Sequence, residues 1–406
     1  MKSTTYLAGI QLPPKEHRVE ARSLYQVLQE VTDGRKKRGR RYEAAEVLTI
    51  IVLAKMAGEK AVSGIAHWAR LRLDWLGQLL PLKRGTLPCA NTYQYICDHI
   101  ALDELNEKLG LYFAAVRGTA AEPEAEIPDG PAVERGALHL ALDGKSLRGT
   151  AGTGARPLTA VQLIGLYHVT QQYVLRQVEV PGPGQERKTA LRLMKEMDLR
   201  GCLVSADALY TQPAWCQQIL AQGGDYLLIA KRNQPTLQED IALLFSQQPV
   251  PWLPEQAARS VNKGHGRIEV RYLRTSSELG DYLAPKWPAI GQVFQIERRI
   301  TRDHRTTTEV AYGLTSLSLK QAPAPRLLHL IRDHWHIENR LHWRRDVTLG
   351  EDACRVRLGQ TPQVLAALNN AVLALMDYLD VDNVPAQIRA FGARPAAALA
   401  LLLSPL

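Results

Sequence analysis

A chain of 406 residues exceeds the usual reach of a single hydrophobic core, so more than one structural unit is expected. Its formal net charge of +9 and pI near 9.3 favour a polyanionic partner, and no segment approaches the ~18 consecutive apolar residues that cross a bilayer, which sets membrane aside as that partner. The five cysteines, at positions 89, 97, 202, 216 and 354, contain no CxxC pair, and the first residues lack an export signal, so a cytoplasmic protein without disulfides or a thiolate zinc site is expected.

The chain opens with helices. Residues 25–32 and 42–58 read as two of them, the second supported by Val47, Ile50, Ile51, Ala54 and Met56. Between them DGRKKRGRR holds Arg35, Lys36, Lys37, Arg38, Arg40 and Arg41, with Gly34 and Gly39 keeping the run irregular. Such a block is either a solvated loop or a phosphate-contacting surface whose binding weakens steeply with salt. Residues 63–75 and 93–116 are further helices, with Leu87, Pro88 and Asn91 as break and cap. Residues 1–117 are therefore expected to form an all-helical N-terminal domain with a possible DNA-binding role. Residues 118–136 carry Pro123, Pro128 and Pro131 among alanines and acids, the composition of a linker.

From residue 137 the periodicity changes. Residues 138–142 are a short apolar strand ending at Asp143, and 161–169 with 173–180 form a hairpin. A helix at 186–197, a strand at 203–205 ending at Asp207, a helix at 213–221, a strand at 226–230 and a helix at 237–245 follow, which indicates a mixed α/β sheet. Residues 267–274, 292–301 and 307–314 are strand-rich and mark a β insertion at about 251–320. A helix at 366–379 closes the α/β unit at about residue 380, and 381–406 is an Ala/Leu-rich tail.

The stretch at 332–357, RDHWHIENRLHWRRDVTLGEDACRVR, organises the rest. With no proline before Pro362, it reads as a helix over 327–347 that stacks His334, Glu338, His342 and Asp346 in one polar stripe. Asp143 and Asp207 stand at strand ends, where α/β sheets collect ligand sites, and are expected to meet Glu338 there. A zinc set of His334, His336, His342 and Cys354 is disfavoured, because His334 and His342 lie two turns apart on a straight helix.

LALDGKSLRGT, SADALYTQ, GGDYLLIAKRNQPTL, HGRIEVR and HWHIENRLHWRRDVTLGEDACRVR resemble, in order, the signature blocks of the DDE insertion-sequence transposases of the H-repeat-associated protein family. The helical N-terminal region resembles the domain that precedes the catalytic part in that family. The resemblance implies an RNase H-like catalytic fold over 137–380 with a β insertion. It also implies a triad of Asp143, Asp207 and Glu338 that holds Mg²⁺ or Mn²⁺, with two ions the expected number, and a cleavage and strand-transfer activity on double-stranded DNA. Paired DNA ends would require a homodimer or larger assembly. Hard carboxylate oxygens suit these ions, and two such ions can serve an in-line displacement at phosphorus. Lys145, Arg148, Lys231 and Arg267 are candidates for backbone neutralisation, Asn233 and Gln234 for hydrogen bonds to DNA. His334, Asn339, His342, Arg345 and Asp346 are expected to orient Glu338 or touch phosphate. Tyr210 stands where the block commonly has His, and Arg345 and Leu349 also depart from the pattern. Two other readings share these features: a transposase-derived DNA-binding protein, and a metal-dependent nuclease without strand transfer.

Overall fold

The computed structural model describes residues 22–38, 40–82, 85–118, 138–152, 159–195, 197–247, 253, 255–264, 266–357 and 359–406. Residues 1–21, Gly39 and the proposed linker beyond Gly118 lie outside them. The described chain begins with α1 (Leu24–Gln29), α2 (Ala44–Met56), α3 (Val62–Arg70), α4 (Leu73–Leu79), α5 (Ala90–Cys97) and α6 (Leu102–Gly118). Ser23 and Gln26 close a reciprocal capping box on α1. α2 is apolar around its circumference and buried along its whole length, so it needs neighbours on every side.

Two expected helices are each divided. The one at 63–75 breaks at Leu71 and Arg72, and the one at 93–116 breaks after Cys97. At the second break, the Asp98 carboxylate accepts from the Thr361 backbone N–H at 2.9 Å and from its hydroxyl at 2.6 Å. A contact from far along the chain thus outweighs local helix propensity.

The sheet begins with β1 (Leu138–Leu147), β2 (Val161–His168) and β3 (Tyr173–Glu179), followed by α7 (Glu186–Met194), β4 (Cys202–Ala206), α8 (Pro213–Ala221), β5 (Asp225–Ala230) and α9 (Pro235–Gln247). It continues through β6 (Ala257–Gly264), β7 (Arg267–Ser276), α10 (Gly280–Leu283), β8 (Gln292–Arg302) and β9 (Arg305–Thr315). The nine strands lie in the order β3-β2-β1-β4-β5-β9-β8-β7-β6. β1, β4 and β5 are mutually parallel, and the remaining pairings are antiparallel. The strand-rich insertion therefore extends the central sheet through β9 instead of forming a sheet of its own.

Side chains alternate across the central strands. Leu142, Val204 and Leu228 pack with residues of α7, α8 and α9 on one face. On the other, Leu203 and Leu227 meet Leu327, Leu328 and Ile331 of α11 (Ala324–His334), while Ala141 joins the helical core. That core includes α12 (Thr361–Tyr378), which is almost wholly buried. Residues 381–406, expected as a tail without elements, form α13 (Val384–Ala393) and α14 (Pro395–Leu403), whose Ile388, Phe391, Leu399 and Leu402 share a core with α1 and α2. The two ends of the described chain thus cover the sides that α2 leaves open.

The helix expected over 327–347 is not continuous α-helix. α11 stops at His334, and Ile337–His342 and Arg344–Thr348 coil as π-helix, with wider i→i+5 turns. Three of the four stripe residues are tied to the sheet: His334 to Ser205, His342 beside Asp143, and Asp346 to Lys145. A wider turn lets residues at this spacing keep pointing at the sheet.

Candidate active site

β1 and β4 run parallel, and their pairing ends with Leu142 opposite Ala206. The next residue on each strand is an aspartate, Asp143 and Asp207. Adjacent strands lie about 4.8 Å apart, so the backbone alone sets these two acids side by side. Because Leu142 and Ala206 point into the α7–α9 layer, Asp143 and Asp207 point to the face that carries α11 and the π-helical segment. The expected strand stopped at residue 142, but β1 runs on to Leu147 because residues 143–147 pair with β2, Asp143 lying opposite Gly165. Asp, Gly and Lys are poor strand formers, which hid that extension from the sequence.

The π-helical segment brings Glu338 and His342 to Asp143, so that one ligand atom from each lies within 4.8 Å of the others. His342 Nδ1 is 3.5 Å from Asp143 Oδ2 and 3.9 Å from Glu338 Oε2. Burial, followed by the Glu338 carboxylate and then Asp207, raises Asp143 to about 7, against the pull of the Gly144 N–H bonded to it at 2.8 Å. The His342 ring is held neutral, its pKa lowered well below the usual value by burial and then by Arg345 and Lys145. Glu338 itself is open, with its side chain 65% exposed.

Asp207 is outside that close group. Lys231 Nζ lies 2.9 Å from its Oδ1, and although burial works the other way, this ammonium and the Ala208 N–H hold Asp207 below the ordinary carboxylate range. His334 stands behind it, bonded to Ser205 Oγ at 2.8 Å, and Ser205 lies 2.7 Å from His139 Nε2. Burial lowers His334 to about 4 and His139 to about 3, so both rings are neutral. Asp143 and Asp207 also line a cleft of about 190 Å³ with Glu186, Tyr210, Ser146 and Leu209.

Several accessory residues are placed differently from expectation. Arg345 is 2% exposed and turned inward, donating to Glu351 through Nε at 2.9 and 3.1 Å and to Asn370 at 3.1 Å. Lys145 is buried against Asp346 at 2.6 Å. These two cations are neutralised within the protein, Arg345 by the buried Glu351 and Lys145 by the half-buried Asp346. Asn233 donates to Ala208 O at 2.5 Å and Gln234 to Thr211 O at 3.0 Å, so both brace the loop that carries Asp207. In the basic loop, Arg35 is buried and clasps Asp33, and Arg40 donates to Arg35 O at 2.9 Å; Lys36, Lys37, Arg38 and Arg41 remain exposed. Arg148 is open to solvent with Asp352 3.8 Å away, Arg267 is exposed 3.8 Å from Glu269, and Asn339 is exposed. The zinc set does not assemble, since the one group of three possible ligands among the described residues is Asp143, Glu338 and His342. Glu351, Glu186, Ser205 and His139 do not stand out in the sequence; Arg345 and Glu351 are six residues apart across the left-handed Gly350, outside the i,i+3 and i,i+4 spacings that mark helical pairs.

A family model described as Transposase DDE domain matches residues 134–375, and a second, described as DDE_Tnp_1-associated, matches 25–113. The first spans more than half of the chain and defines the class of the catalytic region. The chain belongs to the DDE transposases of the H-repeat-associated family. It is similar to "H repeat-associated putative transposase YhhI" of Escherichia coli K12, with 24% identity over 88% of this chain and 91% of that one. "Putative protein YbfL" of the same organism is 23% identical over the same shares. "Uncharacterized protein in dhlA 3'region" of Xanthobacter autotrophicus is 28% identical over 68% of this chain and 88% of its own. A solved piggyBac transposase synaptic complex with hairpin DNA overlaps 93% of this chain and 78% of its own at 8% identity and TM-score 0.43, below the level at which folds are equated. Among the described residues, no helix is long and apolar enough to cross a membrane.

Proposed function

We propose that the chain is a divalent-metal-dependent transposase that cuts double-stranded DNA at the ends of its element and joins the freed 3′-hydroxyls to target DNA. The observation that carries this reading is that Glu338 and His342 close on Asp143, while Asp207 stands one residue past the paired end of the adjacent strand, so acids from three separate parts of the chain flank one sheet face. The order β3-β2-β1-β4-β5, antiparallel across β1–β3 and parallel across β1, β4 and β5, supports an RNase H-like core extended by the β6–β9 insertion.

The residues present fit a hard divalent cation. Burial, and after it the crowding by Glu338 and Asp207, drives Asp143 toward its protonated form, a cost that a bound cation offsets. Asp143, Glu338 and Asp207 would hold Mg²⁺ or Mn²⁺, in one or two ions, with His342 at their side. When bound, such ions polarise the phosphodiester and acidify water. The chain's own groups do the positioning. Neutral His342 stands beside the Asp143 and Glu338 carboxylates without adding charge, and Lys231 neutralises Asp207. In nicking, water oxygen bonds to phosphorus and the P–O3′ bond breaks, leaving a 3′-hydroxyl and a 5′-phosphate; in joining, the liberated 3′-hydroxyl oxygen bonds to a target phosphorus and the target's own P–O3′ bond breaks, so its 3′-oxygen leaves as a hydroxyl. Synapsis of two ends would require at least two protomers.

The test is Mg²⁺-dependent nicking of a duplex carrying the element end. Wild-type protein should nick it and Asp143→Ala should not; undiminished activity in that variant removes Asp143 from catalysis. Tight end binding without cleavage under any divalent ion would instead identify a DNA-binding protein. Cleavage without joining of supplied 3′-hydroxyl ends to a plasmid would identify a nuclease.

A further inference from the structure

We propose that Tyr210 is a further catalytic residue, whose hydroxyl donates a hydrogen bond to a phosphate oxygen of the DNA strand seated in the acidic cleft. The inference rests on the proposed function of that site and adds a neutral donor to its three acids. Tyr210 is 2% exposed, yet among the described residues its Oη has no hydrogen-bond partner. Its side chain lines the same cleft as Asp143, Asp207 and Glu186, and its Oη lies 3.6 Å from where a Cβ on Gly144 would stand, one residue from Asp143. The phenol is fixed in that position. It follows Asp207 in the short turn Ala208–Tyr210, and its ring packs on Trp215 with centroids 5.5 Å apart.

A buried hydroxyl with no acceptor lowers stability, and native proteins rarely keep one without a use. Here the nearest anionic groups, Asp143, Glu186 and Asp207, act on the phenol at a distance and none accepts from it. Burial and those three carboxylates keep it protonated, hence a donor. A phosphodiester seated in that cleft would bring acceptor oxygens toward a donor held in place by its ring packing, with only a small shift needed to open the hydroxyl to it.

Tyr210→Phe keeps the ring and removes the donor. In protein free of metal and DNA, its Tm should match the wild type within about 2 °C or rise, because no internal hydrogen bond is lost. Affinity for the end duplex, measured in Ca²⁺, should stay within about threefold, while the Mg²⁺-dependent cleavage rate should fall about a hundredfold. Tyr210→His, whose ring N–H is also a donor, should recover part of that rate. Cleavage by Tyr210→Phe at the wild-type rate would overturn the proposal and leave the hydroxyl bonded to cleft water only. So would a Tm lowered by several degrees, which would reveal an internal partner. If wild-type protein cleaves with no divalent ion, or Asp143→Ala cleaves as well as wild type, the reading of the site fails and this proposal goes with it.

Discussion

Asp143 shows how one side chain joins stability to function. Its folded pKa, about 7, stands above the ordinary aspartate value of 3.8, so between those pH values the native state binds more protons than the unfolded chain. Stability from this group is therefore full at low pH and is lost as pH rises toward and past 7. Asp143→Asn removes the charge and keeps the shape. Without divalent ions its Tm should equal the wild type's near pH 4 and exceed it by about 2 °C or more at pH 8, while cleavage falls by about 1,000-fold or more. Equal Tm values at both pH extremes would show that Asp143 is not crowded as described. The meeting of Asp143 and Glu338 was legible because each sits in a distinctive block of sequence. The directions of Lys145 and Arg345 were not. Whether a cation faces DNA or a buried acid depends on where Glu351 lies, and the sequence around Glu351 does not say that it is buried.

Elements placed those residues, and here pattern and structure part more often. The hairpin β2–β3 and helix α8 follow from alternation, a turn and a proline at the helix start, all local signals. The continuation of β1, the break after Cys97 and the π-helical turns depend on distant partners, namely β2, Thr361 and the sheet face. The π-helical turns carry a testable consequence. Asn339 is exposed within Ile337–His342, and deleting it would allow that stretch to relax to α-helical spacing, carrying Glu338 or His342 away from Asp143. Cleavage should drop about a hundredfold or more, since small misplacement at a reacting centre is costly. The circular dichroism spectrum should remain that of the folded protein. Retained activity would show that the π geometry is not what aligns the acids.

Across the whole molecule, one buried ionic cluster joins the catalytic sheet to the helices that flank it. Glu351 accepts from Arg345 and Asn369, and Lys145 of β1 lies 4.0 Å away; Arg345 also reaches Asn370 of α12 and Gln177 of β3. Burial alone would raise Glu351, but Arg345 and these hydrogen bonds hold it below its ordinary value of 4.5. Its contribution is thus full above pH 4.5 and is lost as pH falls through the lower folded value. Glu351→Gln should cost about 3–5 kcal/mol at pH 7 by leaving Arg345 unpaired, with the difference narrowing in acid; urea titrations at pH 7 and below pH 4 would measure it. A loss that does not depend on pH would mean that packing, not charge, sets the cost.

The basic loop before α2 poses the corresponding question at the surface. A run of six cations reads as one patch in sequence, but in the fold Arg35 and Arg40 tie the loop to itself through Asp33 and Arg35 O, which leaves Lys36, Lys37, Arg38 and Arg41 outward. If these four contact DNA phosphates, each releases counterions in proportion to the charge it neutralises. Changing all four to Ala should then flatten the slope of log K against log salt by up to about 3.6, at about 0.9 per phosphate contact. Folding should be unaffected, because none of the four is buried. Arg35→Ala should do the reverse, destabilising the loop with the salt slope nearly unchanged. A slope that does not respond to the fourfold change would place the DNA elsewhere on this positively charged molecule and leave the loop as a solvated connection between helices.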